Sequence, residues 1–203
     1  MSGAEATVVL GVISSIISIV DGTKQVYDAV INAQGLPEAF YEVTARLLIV
    51  QNILGSAKRH VEGDTDEDSC KGVKDIVEGC RRKAKKLEEL FQKVIPADGA
   101  FRAERYLSAV RTLGKGSRVE TLMKGILEDV QLLAINYSIT TVTDTQRKEV
   151  AEAIREVAAL LPSLLEHAIE GTGFTAIHSG SGPINQAQGD QYNNPGSSQI
   201  YYI

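Results

Sequence analysis

Residues 7–20 are almost wholly apolar, and no other stretch restricts the fold of this chain so tightly. The run is about 14 residues long, short of the 18 or more expected of a transmembrane helix. It continues as a more amphipathic segment through Lys24, Val26, Tyr27, Val30 and Ile31 and ends between Asn32 and Gly35. A helix apolar on nearly all sides has two stable homes, the centre of a helical bundle or a bilayer. Val8, Val9, Val12, Ile13, Ile16, Ile17, Ile19 and Val20 therefore form both the expected core of a first helix and the candidate membrane-inserting set. Gly11, Ser14, Ser15 and Ser18 keep the second home open, because small residues let helices pack closely in lipid.

The segments that follow supply partners for such a helix. Leu36-Pro37-Glu38 is a helix start, with proline in the first turn and an acid beside it. Phe40, Val43, Leu47, Val50, Leu54, Ala57 and Val61 then recur at spacings of three and four, which makes one buried stripe. Residues 62–68 form an acidic turn without the ligand pattern of a calcium loop. A third helix repeats the stripe at Val73, Ile76 or Val77, Cys80, Ala84, Leu87, Leu90 or Phe91, and Val94. It also carries the basic residues Arg81, Arg82, Lys83, Lys85 and Lys86. Glu78 with Arg82 and Lys85 with Glu89 have pairing distance along a helix, which reads as a solvated face. The functional alternative for the same five cations is a site for anionic lipid headgroups.

A shorter helix follows Pro96 and Gly99, with Tyr106, Leu107, Val110 and Leu113 apolar. Gly114-Lys-Gly-Ser117 is not a phosphate loop, since Ala109 stands where that pattern needs glycine and no strand precedes it. Ser117 and Glu120 instead have capping-box spacing for a fifth helix through Leu122, Ile126, Val130, Leu133 and Tyr137. Thr143 and Gln146 cap a sixth, with Val150, Ile154, Val157, Leu161, Leu164 and Ala168 inward and a kink at Pro162. Residues 1–170 thus read as an all-α bundle of five or six helices.

Residues 171–203 are of another kind. No Lys or Arg follows Arg155, and Asp190 is the tail's one formal charge. Glycines at 182, 189 and 196 repeat at seven-residue intervals, but without an apolar seam this is no coiled coil. Such a disordered Gly/Asn/Gln-rich tail serves as a flexible linker, or as short strands whose amides and tyrosines form cross-β ladders. The candidate amyloid motif is Gly182, Ile184, Asn185, Gln186, Gly189, Gln191, Tyr192, Asn193, Gly196, Gln199, Ile200 and Tyr201.

Catalytic chemistry finds no footing in these residues. His60, His167 and His178 are scattered without metal-ligand spacing to the cysteines, and no nucleophile elbow or dinucleotide loop occurs. No enzyme activity, metal or cofactor is expected. A net charge of −5 and 5% aromatics argue against nucleic acid as a partner. Cys70 and Cys80 lie ten helical residues, or about 15 Å, apart, too far for a disulfide and consistent with reduced thiols in the cytoplasm. The N-terminus has no basic region ahead of the apolar run and no glycine at position 2, so neither a signal peptide nor myristoylation is expected.

One resemblance gathers these features. Residues 10–19, Tyr27-Asp-Ala, Leu36-Pro-Glu-Ala-Phe40, residues 85–96, 106–116 and 122–130 together resemble the fungal SesA domain, a helical N-terminal domain of NACHT-type and other P-loop NTPases. Gly-Asp-Gln-Tyr-Asn at 189–193 is similar to the prion-like signalling motifs of fungal incompatibility proteins. The resemblance implies a role in fungal programmed cell death. In that scheme a NOD-like receptor with a matching amyloid motif templates the tail of a separate effector. The tails self-associate, and the helical domain then acts, in the related HeLo and HeLo-like domains by attacking the plasma membrane. A helical domain followed by a tail has the effector layout. The rival reading is a helical adaptor that binds NACHT-type receptors or other helical domains without assembling.

Overall fold

Each periodic stretch of the sequence is a helix in the computed structural model, which describes residues 3–30, 34–63, 67–114, 116–136 and 142–170. The elements run α1 (Gly3–Asp28), α2 (Glu38–Gly63), α3 (Glu67–Val94), α4 (Gly99–Leu113), α5 (Val119–Asn136), α6 (Asp144–Ala159) and the short α7 (Glu166–Glu170). No strand occurs among the described residues. They belong to one unit, Met1–Gly171. The candidate amyloid motif and Tyr137 lie outside the described residues.

Helices α1, α2, α5 and α3 close a four-membered ring, in which α1 packs on α2 and α3 and α5 packs on the same two. Helix α6 lies on α2 and α5, α4 on α3, and α7 on α4. The expected seams of α2 and α3 are the ones that fill the centre, where Leu47, Leu54, Val77, Leu87 and Leu90 are excluded from water. Burying each such side chain stabilises the fold by about 1.5–3 kcal/mol before the entropy of ordering it is counted. Phe40 joins the helices at one end, its ring 5.0 Å from Phe91 and 5.1 Å from Tyr106. These are the tilted and edge-on arrangements that aromatic quadrupoles favour.

The turn from α1 to α2 needs glycine. Gly35 has φ 79°, and a Cβ there would stand 2.0 Å from the Gly99 carbonyl oxygen. Arg102 ties the same corner, donating from Nε to Ala97 O at 2.9 Å and from Nη1 to Gln34 O at 2.9 Å. The capping box of α6 is formed as its spacing predicts: Gln146 N donates to Thr143 Oγ1 at 3.2 Å and Thr143 N to Gln146 Oε1 at 2.9 Å.

Four expectations are corrected. Pro162 breaks the last helix rather than kinking it: α6 stops at Ala159 and Leu160 is extended. Proline has no N–H to continue the ladder, and it holds the preceding residue out of helical geometry. Leu161, expected inside, is therefore 86% exposed. Ser117 and Glu120 make no capping box, since Ser117 Oγ donates to Leu113 O while Glu120 turns to Ser163. Glu78 pairs with Arg81 rather than Arg82, at 2.9 Å.

Candidate functional site

The structure divides the apolar set of α1 by face. Val9, Val12, Ile13, Ile16 and Val20 are buried in the core, Ile17 and Ile19 are half-buried against it, and Val8 is 47% exposed. Thr7, Gly11 and Ser18 face solvent, with Ser14 and Ser15 half-buried at the margins. The helix is thus at the rim of the bundle and not its centre. No charged residue lies between Glu5 and Asp21, so this outer face is uncharged over four turns.

Read from sequence, the apolar run is too short to span a membrane; in the structure it is part of one longer helix that continues through Asp21, Lys24 and Asp28. Glu5–Asp28 is continuous over 24 residues, and its most apolar 18-residue window has a mean hydropathy of 1.8 and is 33% buried in the bundle. At 1.5 Å per residue Glu5–Asp28 reaches about 36 Å, against about 30 Å for a bilayer's hydrocarbon core, and its charge-free stretch, residues 6–20, reaches about 22 Å. Two of its hydroxyls are satisfied within the helix: Ser18 Oγ donates to Ser14 O at 3.1 Å and Thr23 Oγ1 to Ile19 O at 2.8 Å. Those bonds travel with the helix, which lowers the cost of placing these two hydroxyls in an apolar medium. A hydrogen bond from Gln51 to Asp21 holds α1 on α2 near its C-terminal end.

The basic residues do not form one patch. Lys83 crosses to α5 and pairs with Asp129 at 2.6 Å, its stem lying where a side chain on Gly125 would be, 2.9 Å from that Cβ position. Lys86 donates to Leu113 O at 3.5 Å. Arg81, Arg82 and Lys85 are left beside α1, where with Ser15, Ile19 and Glu88 they line a groove of about 250 Å³. Arg82 and Lys85 are exposed. Two of the five expected headgroup ligands are thereby committed to the bundle. Sequence reasoning missed Asp129, whose lysine is 46 residues away; Gly125, one turn before it, is the local cue.

Burial sets the titration of this region. It pushes the Asp129 carboxyl up from its usual value, and the hydrogen bond and charge of Lys83 pull it back. Cys80, free and buried in the core, is pushed up to about 12 by burial, with the Asp129 charge adding to the shift. A thiol so protonated is a packing group rather than a nucleophile. A second cavity of about 640 Å³ lies by the corner that Arg102 ties, walled by Val26, Val30, Ile95 and Pro96. Among the described residues no group of three or more His, Cys, Asp or Glu is placed to hold a metal ion.

No curated protein and no solved structure matches the chain. A family model does: SesA, the N-terminal domain on NACHT-NTPase and P-loop NTPases, matches residues 13–133, from the middle of α1 to near the end of α5. That match takes in α2, α3 and α4, most of α1 and α5, and more than half of the chain, which therefore belongs to the SesA family.

Proposed function

We propose that this protein is a non-enzymatic cell-death effector whose tail receives the signal and whose helical domain acts on membranes. Membership of a family that precedes NACHT and other P-loop NTPases supports a signalling or effector role and a NOD-like receptor as partner. The observation that carries the finer reading is α1, a continuous 24-residue helix whose most apolar 18-residue window has a mean hydropathy of 1.8 and is one-third buried, with Thr7, Val8, Gly11 and Ser18 exposed on its outer face. At rest the protein is cytoplasmic and α1 is docked on α2 and α3. A receptor's amyloid seed recruits residues 184–202 as added strands, and stacking raises the local concentration of helical domains. Helix α1 then leaves the rim of the ring for the plasma membrane, guided to anionic headgroups by Arg81, Arg82 and Lys85. Nucleic acid and cofactors have no part in this sequence of events.

Seeded assembly tests the input half. Full-length protein should join fibrils seeded with a 175–203 peptide, and a chain lacking 171–203 should not. Incorporation of the truncated chain at the full-length rate would remove the tail from the mechanism.

A further inference from the structure

Residues 160–170 are attached to the rest of the domain in an unusual way. Leu161 and Leu165 are 86% and 60% exposed, so much of the apolar surface of this segment contributes nothing to its docking. Polar side chains hold it instead. Val119 N donates to the Tyr106 hydroxyl at 3.1 Å, and Tyr106 OH lies 2.6 Å from Ser163 Oγ. Ser163 Oγ donates in turn to Glu120 Oε2 at 2.6 Å, and Ser163 N to Glu120 Oε1 at 3.2 Å. With Ser163 donating to the carboxylate, Tyr106 must be the donor to Ser163, and the four groups form one directional chain. Tyr106 is wholly buried and Glu120 only 8% exposed, so the chain ends on a carboxylate removed from water. Arg118 Nε stands 3.5 Å from that carboxylate. Two arginine donors grip the segment's backbone, Arg118 Nη1 on Leu164 O at 3.2 Å and Arg111 Nη2 on Ala168 O at 2.6 Å. Ile169 is the buried apolar anchor, with Leu160 and Leu164 half-buried.

We propose that residues 160–170 are a latch, pinned by Ser163, that releases as a unit from α4 and α5 while the ring of α1, α2, α3 and α5 stays folded. On opening, each of these hydrogen bonds is exchanged for one to water, whereas freeing a ring helix would expose several large apolar side chains and break its packing on two neighbours. The latch is therefore the part that opens at the lowest free energy. Proline at 162 sharpens the boundary, because no helical ladder carries α6 into the segment. On release, water replaces Ser163 at Tyr106 and Glu120, so opening leaves no orphaned charge behind. Residue 171 follows directly, so any load on residues 171–203 reaches the latch before it reaches a ring helix. That consequence concerns the tail; the latch itself does not depend on the tail's role.

Amide hydrogen exchange on the full-length chain is the test. In the wild type, residues 160–170 should exchange faster than α1–α3 and with little dependence on urea. Ser163→Ala should speed exchange of 160–170 by about tenfold, the equivalent of about one hydrogen bond and its buried partner, with α1–α3 changed less than twofold. Tyr106→Phe leaves the Ser163–Glu120 bonds in place and should speed the same residues by less than Ser163→Ala does. Unchanged exchange at 160–170 in Ser163→Ala, or equal acceleration throughout α1–α3, overturns the proposal.

Discussion

Helices α1 and α3 lie against each other over one core, yet they turn opposite chemistry to water. Their inner faces are alike, with Ile13 and Ile16 on one and Val77, Leu87 and Phe91 on the other fully buried. Outside, α3 exposes Arg81, Arg82, Lys85 and Lys86, whereas α1 exposes Thr7, Gly11 and Ser18. A cation at the centre of a bilayer costs about 2.5–3.5 kcal/mol even on the most lenient scale. Moving α3 into lipid would incur that cost several times over, and moving α1 as far as Val20 would incur none of it. The two helices contribute similarly to the core but differ in where else they can go. Their polar faces, rather than their apolar ones, make that difference.

Substitutions that invert one face of α1 should separate its two roles. Ile16→Glu puts an unpaired carboxylate where the side chain is 0% exposed, and should cost more than about 4 kcal/mol in urea denaturation. Ser18→Glu on the exposed face of the same helix should change stability by less than about 0.5 kcal/mol. If both destabilise alike, α1 is a fully internal helix and the contrast with α3 fails.

A smaller effect belongs to α3. Burial raises Cys80 from 9.0 to about 12, so the stability it contributes is complete below pH 9 and is lost as pH rises through the folded value. The loss is on the order of 3–4 kcal/mol across that window. Cys80→Ala should cost about 1 kcal/mol at pH 7 and make the alkaline limb of stability against pH shallower, leaving the share of Tyr106, whose hydroxyl burial also pushes up to about 12. An unchanged limb would mean that Cys80 is not the group titrating there.

Most of the ring was legible because its helices obey local rules. The stripes from Phe40 to Val61 and from Val73 to Val94 are buried as their spacing predicts, and Thr143 with Gln146 caps α6. What escaped was decided between elements distant in sequence. Glu120 has the spacing of a capping residue, but the N–H and hydroxyl of Ser163, 43 residues on, draw it away. Lys83 looked like one of five equivalent cations until Asp129 claimed it. Composition placed α1 either at the centre or in a bilayer, and it could not anticipate a rim position, because Thr7, Gly11 and Ser18 count as neutral in any apolar window. The tail's reading rests on its sequence alone, since residues 171–203 lie outside the described structure.

The central claim is that the uncharged outer face of α1 is what lets a folded helix become a membrane one. Dye release from anionic vesicles by full-length protein, seeded with 175–203 peptide fibrils, tests it most directly. Wild-type protein should release dye, and Ser18→Glu, equally folded and equally assembled, should not. Release by Ser18→Glu at the wild-type rate would contradict the account.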